Sequence, residues 1–216
     1  AYNDEKILEN LNFSIKKNSF IGICGKTGSG KTTLLDMLSY LLEPTKGSIS
    51  LDGKKLQDKK KSWQEKISYV PQNVYLSETS IINNIIVHQD EKIDKNMLRK
   101  VCKIACCEDF IKDLDNDIEK RNQYSNPRLS GGQVQRIGIA RALYQDTEIL
   151  LLDEATNALD SETEKKLMDN IKRIYDNKTV IIISHKESTL KYCDKIIYLE
   201  KKKVGYFGSY KGFTKL

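Results

Sequence analysis

The segment Gly25-Lys26-Thr27-Gly28-Ser29-Gly30-Lys31-Thr32 constrains this chain more than any other. Its glycines let successive backbone N–H groups turn inward around an anion where a Cβ would collide. The segment lies between a continuous apolar run, Phe20–Cys24, and a stretch with helical spacing, Lys31–Leu42. Strand, glycine-rich turn and helix N-terminus in that order make a phosphate cradle, because the helix presents about half a positive charge to the anion. The pattern G-x-x-x-x-G-K-[ST] is complete. Lys31 is therefore expected to reach the β- and γ-phosphates, and Thr32 to offer its hydroxyl to Mg²⁺. Gly25, Lys26, Thr27, Gly28, Ser29, Gly30, Lys31, Thr32 and the adjoining Thr33 form the candidate nucleotide-binding set.

A second site element follows much later. Ile149-Leu150-Leu151-Leu152 is an apolar strand that ends in Asp153-Glu154. Buried aliphatics place Asp153 at the carboxyl edge of a sheet, where ligands bind in α/β folds. Asp153 is the candidate Mg²⁺ ligand, and Glu154 points toward where an attacking water would sit. An acid after a strand also serves as the cap of a following helix. Its pairing with a phosphate loop favours the catalytic reading.

Strands are expected at Leu11–Lys16, Phe20–Cys24, Ser48–Leu51, Ile67–Val70, Ile149–Asp153 and Thr179–Ser184, with a closing hairpin at Lys195–Leu199 and Val204–Phe207. Helices are expected at Lys31–Leu42, Ser80–Val87, Asp94–Ala105, Glu108–Leu114, Gly131–Tyr144 and Ser161–Tyr175, the last capped by Ser161 with Glu164 at its third position. Strands alternating with helices, and nearly continuous apolar strands, predict a mostly parallel sheet covered on both faces. At about 100–200 residues per domain, 216 residues fit a single domain. Its catalytic core is expected at 1–73 and 140–216, with a helical subdomain inserted at 74–139.

No apolar stretch approaches the ~20 residues that a membrane-spanning helix needs. The net charge is +6, but of 36 basic residues only six are Arg. Scattered Lys reads as a solvated surface rather than a nucleic-acid patch, since Arg forks serve base and phosphate recognition better. The five cysteines (Cys24, Cys102, Cys106, Cys107, Cys193) follow no zinc spacing. They read as small buried hydrophobes in a reducing compartment.

Leu129-Ser130-Gly131-Gly132-Gln133, opening a helix, resembles the signature motif of ATP-binding cassette (ABC) proteins. The order of elements agrees with that family: phosphate loop, Gln72 after a strand, LSGGQ, Asp153-Glu154, Ala158-Leu159-Asp160, then His185 after Val180–Ser184. The resemblance implies a P-loop NTPase fold of class α/β, with a mostly parallel sheet core, an antiparallel β edge and an inserted α-helical subdomain. It implies ATP and Mg²⁺ as the bound groups and ATP hydrolysis as the reaction. Glu154 then activates water, while Gln72 senses Mg²⁺ and the γ-phosphate and hinges the helical subdomain. His185 contacts the γ-phosphate. Ser130, Gly131, Gly132 and Gln133 form the signature end that caps ATP bound to a second copy, and Asp160 crosses that interface. Tyr2 resembles the aromatic that stacks on adenine, an ordinary surface tyrosine near a terminus being the other reading.

Ser62-Trp63, the run Lys66–Leu76 and Asn84-Ile85 are most similar to the exporter branch of the family, and within it to flippases for lipid-linked oligosaccharides. The resemblance implies a head-to-tail dimer of two such domains and a transmembrane domain N-terminal on the same chain. It places this domain at the cytoplasmic face of the membrane, with no nucleic-acid partner. The family's Gly-rich acidic stretch before LSGGQ is here Ile118-Glu119-Lys120-Arg121-Asn122, without its glycines. Two rivals are a soluble ABC-family ATPase acting on nucleic acid or ribosomes, and a nucleotide-binding regulatory module without catalysis. The presence of both Glu154 and His185 argues against the second.

Overall fold

The computed structural model describes residues 6–87, 93–111, 113–119, 129–174 and 177–215. Phe20–Gly25 is the first strand (β1), buried along its whole length. Lys31–Leu38 follows as α1, then Ser50–Leu51 (β2), Lys54–Lys55 (β3), Lys60–Gln64 (α2) and Ile67–Val70 (β4). Ile81–Ile86 (α3), Lys95–Ile104 (α4) and Leu114–Glu119 (α5) lead to Gly131–Tyr144 (α6). The chain continues through Ile149–Asp153 (β5), Ser161–Ile174 (α7), Thr179–Ile183 (β6) and Glu187–Leu190 (α8). It closes with Lys195–Glu200 (β7), Lys203–Gly208 (β8) and Tyr210–Phe213 (α9).

One sheet runs in the order β4-β5-β6-β1-β7-β8. Its first five strands pair in parallel, and β8 pairs antiparallel with β7 as the expected antiparallel edge. The two-residue period of a strand divides its side chains between two cores. Phe20, Cys24, Leu150, Leu152, Val180 and Ile182 face one core, which α3, α4, α6 and α7 cover. Ile21, Ile23, Leu151, Ile181 and Ile183 face the other, filled by Leu34 and Leu35 of α1. Parallel strands buried on both faces explain the nearly continuous aliphatic runs. On the helical side, Arg141 of α6 donates to the Asn84 carbonyl at 2.6 Å and to the Tyr75 carbonyl at 3.0 Å. The helix α6 runs unbroken across positions 139 and 140. All five cysteines are buried free thiols. Among the described residues, no helix is long and apolar enough to cross a membrane.

Several expected elements differ. Leu11–Lys16 is not a strand. Its alternation is real, since Leu11, Phe13 and Ile15 pack on the α1-side core and Phe13 meets Phe207 at 5.8 Å. The segment lies extended on that core without joining the sheet ladder. Lys31–Leu42 ends as a helix at Leu38, and Tyr40 turns left-handed at φ 57°. Ser48–Leu51 contributes strand only at Ser50–Leu51. Among the described residues of Glu108–Leu114, only Leu114 is helical. Ile111 closes one turn onto Cys107 at 2.9 Å, and Asp109 is drawn to the Arg136 guanidinium at 2.8 Å. The helix there begins instead at Leu114, where the Asp113 carboxylate accepts from the Asn116 amide.

Ser161 does not cap α7. The Asp160 carboxylate accepts from the Glu162 and Thr163 amides at 3.1 and 2.9 Å. Glu164 is buried and turned to the segment after β6. It accepts from Lys186 at 2.6 Å, Ser188 at 3.0 Å and Thr189 at 2.5 Å. Burial alone would push the Glu164 carboxyl up, but the hydrogen bonds from Lys186, Thr189 and Ser188 outweigh it and hold it below the usual range. A depressed carboxyl contributes stability above its unfolded value and loses it as pH falls through the folded one. Glu164→Ala is therefore expected to lower unfolding free energy by about 2 kcal/mol at neutral pH, chiefly by orphaning the buried Thr189 hydroxyl. The gap from the parent should shrink below about pH 4 in chemical denaturation at a series of pH values.

Candidate active site

The turn after β1 forms only because its first residue is glycine. At Gly25 the backbone takes φ 148°, and a Cβ there would lie 2.4 Å from the Leu199 carbonyl oxygen. Lys26, Thr27 and Gly28 then run along the surface, and left-handed Gly30, at φ 93°, opens α1. Lys31, the first residue of α1, is buried. Its ammonium donates to the carbonyls of Gly25 and Lys26, both at 3.1 Å, which arches it back over the loop. The Ser29 hydroxyl is buried and has no hydrogen-bond partner among the described residues. An uncompensated ammonium, an orphaned hydroxyl and a helix N-terminus around one concave turn fit a phosphate chain. Thr33 is half-buried on the same helix.

Thr32 turns toward β5, where its hydroxyl hydrogen-bonds the Asp153 carboxylate. Asp153 is buried at the carboxyl end of β5, and the Tyr69 hydroxyl donates to its Oδ2 at 3.3 Å. Burial raises the proton affinity of Asp153 first, and the Glu154 and Asp36 carboxylates add to it against the Thr32 and Tyr69 hydrogen bonds. The Asp36 carboxyl is itself pushed up by burial. Crowded carboxylates beside a hydroxyl are a hard-oxygen donor set, and the Gln72 side chain reaches the same carboxylates through Glu154. They fit Mg²⁺, which takes one or two carboxylates and completes its shell with phosphates and water.

Glu154 occupies the left-handed region at φ 49°, a conformation uncommon for a residue with a Cβ, which it shares with turn residues such as Tyr40 and Asp146. Its carboxylate has three polar neighbours, two of them amide donors. Gln72 Nε2 lies 3.0 Å and Asn157 Nδ2 2.7 Å from Oε2. His185 Nε2 lies 3.1 Å from Oε1. Gln72 follows β4 and His185 follows β6, the two strands that flank β5 in the sheet. Parallel neighbours thus deliver their carboxyl-end loops to one point, so residues 72, 154 and 185 meet although they are far apart in sequence.

The signature residues meet a different partner. Ser130 caps α6, and a reciprocal capping box joins its hydroxyl and amide to Gln133 at 3.3 and 2.8 Å. The nearest neighbours of Gly131 and Gly132 are Ala158 and Leu159 rather than the phosphate loop. A Cβ on Gly132 would sit 2.9 Å from the Ala158 carbonyl oxygen. The buried Gln135 accepts from the Ala158 amide at 3.0 Å and fixes that contact. The Ser130 end is exposed, as is Asp160. Tyr2 and residues 120–122 lie outside the described residues.

Sequence reasoning passed over Tyr69, Asn157, Gln135 and Arg136. A tyrosine on a buried strand seeks a partner for its hydroxyl, which could have flagged Tyr69. Arg136 is a buried cation that pairs with Asp109 at 2.8 Å and anchors α6 to the turn after α4. Asn157 and Gln135 carry no such local signal, because their partners come from other loops.

A profile of the ABC transporter family matches residues 8–157. The ATP-dependent lipid A-core flippase of Desulfotalea psychrophila is 36% identical across 100% of this chain and 38% of its own length. That of Vibrio parahaemolyticus is 34% identical across 91% of this chain and 34% of its own. ABC transporter B family member 14 of Arabidopsis thaliana is 38% identical across 94% of this chain and 16% of its own. The chain spans well under half the length of these relatives. A solved bacterial Atm1-family ABC exporter with ATP bound matches 100% of the chain with a TM-score of 0.88 and 31% identity, over 38% of its own length. These matches do not favour a soluble ATPase acting on nucleic acid. By profile, relatives and fold alike, the chain belongs to the ABC transporter family, as one of its ATPase domains.

Proposed function

We propose that this domain hydrolyses ATP with Mg²⁺ to drive export or flipping of a substrate across a membrane. The observation that carries the reading is the meeting of Gln72, Glu154 and His185 beside a phosphate loop with a buried lysine. In it, Lys31 and the loop amides hold the phosphates, and Thr32, Asp153 and Gln72 hold the metal. The metal, when bound, neutralises charge developing on the γ-phosphoryl. Glu154 orients water, with His185 and Gln72 marking the state of the site. Most of the acceleration comes from positioning and electrostatics. Tyr2 stacks on the adenine.

The exposed Ser130 end is a helix N-terminus whose glycines meet Ala158 and Leu159 and not the phosphate loop of the same copy. That supports a head-to-tail dimer in which Ser130, Gly131, Gly132 and Gln133 complete the site of a second copy, with Asp160 at the seam. Residues 74–139 act as the helical subdomain on a core of 1–73 and 140–216. A transmembrane domain precedes it on the same chain, which sets this domain at the cytoplasmic face. The flippase relatives favour a flipping mechanism. ATPase activity per molecule, measured against protein concentration, is expected to climb as copies pair and to vanish when EDTA removes the metal. A flat, nonzero line with dilution would remove the shared-site mechanism.

A further inference from the structure

We propose that Asn157 is the positioning residue of the water-activating carboxylate, anchoring Glu154 Oε2 and so fixing the orientation in which the carboxylate meets water. The inference rests on the reading of Glu154 given above. Of the three groups on the carboxylate, Asn157 makes the shortest contact, 2.7 Å against 3.0 Å for Gln72 and 3.1 Å for His185. It is also the one that belongs to the same turn as Glu154. The Asn157 amide donates to the Glu154 carbonyl at 3.1 Å, so backbone and side chain of the two residues are tied together. Gln72 and His185 reach in from the loops after β4 and β6, and both are exposed.

The turn itself is pinned from three sides. The Glu154 amide donates to the Ile183 carbonyl at 3.1 Å. Lys186 Nζ donates to the Thr156 carbonyl at 3.0 Å and also pairs with the buried Glu164. The Ala158 amide donates to Gln135 at 3.0 Å. A donor mounted on so constrained a turn is in place before substrate arrives. Glutamate has three rotatable side-chain bonds, and its freedom must otherwise be lost in each turnover. Gln72 and Asn157 lie on Oε2 and His185 Nε2 on Oε1, and of these only Asn157 shares the turn of Glu154. Asn157 sits on the turn of Glu154 itself, so its hold does not depend on the loops after β4 and β6.

The test uses the full-length protein and four variants: Asn157→Ala, Asn157→Ser, Asn157→Asp and Glu154→Gln. Loss of one hydrogen bond to a charged group predicts a fall in kcat of roughly tenfold for Asn157→Ala. KM, the ATP dissociation constant from equilibrium titration and the thermal midpoint should stay at parental values, because the side chain is exposed and its hydrogen bond goes to Glu154. Asn157→Ser, which keeps a shorter donor, should recover part of kcat. Asn157→Asp, which sets a like charge against Glu154, should fall below the alanine variant. A parental kcat in Asn157→Ala beside an inactive Glu154→Gln overturns the inference and leaves Glu154 as the base. Equal losses of kcat and ATP affinity in Asn157→Ala also overturn it, since positioning of the base leaves binding untouched. A parental rate in Glu154→Gln removes the underlying reading instead.

Discussion

Glu154→Gln is expected to bind ATP at parental affinity and to turn it over roughly 10²–10⁴ times more slowly, the usual contribution of a positioned general base. The substitution keeps the side chain's shape and the backbone at φ 49°. It removes the capacity to take a proton. It also disturbs a contact, because a glutamine must place an NH₂ group either against the Gln72 and Asn157 amides that now donate to the carboxylate or beside His185. Lys31, Thr32 and Asp153 are untouched, so the nucleotide and metal should still be held. Two copies should accumulate as an ATP-bound dimer, visible by light scattering during size exclusion and absent when ADP replaces ATP. Steady-state phosphate release gives the rate. Hydrolysis at the parental rate would show that Glu154 is not the base.

Where a site element lies within one short stretch of chain, it was legible in the sequence. The phosphate loop is one turn between one strand and one helix, and its spacing sets its geometry. The long helix α6 starts at the expected Gly131 and ends at the expected Tyr144, because a capping box and an apolar face agree on its limits. Local pattern failed where a long-range partner decides. Leu11–Lys16 has strand alternation, and its apolar side is buried, but alternation reports burial and not pairing. Glu108–Leu114 has helical composition, yet Arg136 on α6 recruits Asp109 into a turn. Ser161 and Glu164 read as a capping box, until Lys186, Ser188 and Thr189 claim the glutamate and Asp160 takes over the cap. Asn157 is the functional counterpart of these misses. Its role depends on which rotamer Glu154 adopts, and local pattern does not report that.

Lys31→Met should separate nucleotide binding from folding. Methionine keeps the apolar stem that packs in the first turn of α1 and removes the charge. In the parent, the ammonium is buried against two carbonyls at 3.1 Å, with no ion pair described for it. A buried cation without a counter-charge is destabilising until an anion arrives, and replacing such a group by an apolar one is often neutral or stabilising. The nucleotide-free thermal midpoint of the variant should therefore stay within about 4 °C of the parent or rise, since 1 kcal/mol moves a domain of this size by about 2–4 °C. Binding should behave oppositely. Loss of a charge-assisted contact to a phosphate lowers ATP affinity by about a hundredfold or more. At ATP concentrations near 100 times the parental dissociation constant, ligand stabilises the parent by about 2.7 kcal/mol but the variant by only about 0.4 kcal/mol. The parent's midpoint should rise by roughly 5–10 °C with ATP, and the variant's by about 1 °C. A variant that loses its nucleotide-free midpoint instead would make Lys31 a structural clamp on the Gly25 and Lys26 carbonyls. An equal ATP shift in both proteins would mean that the phosphates are held by the loop amides and the α1 terminus alone.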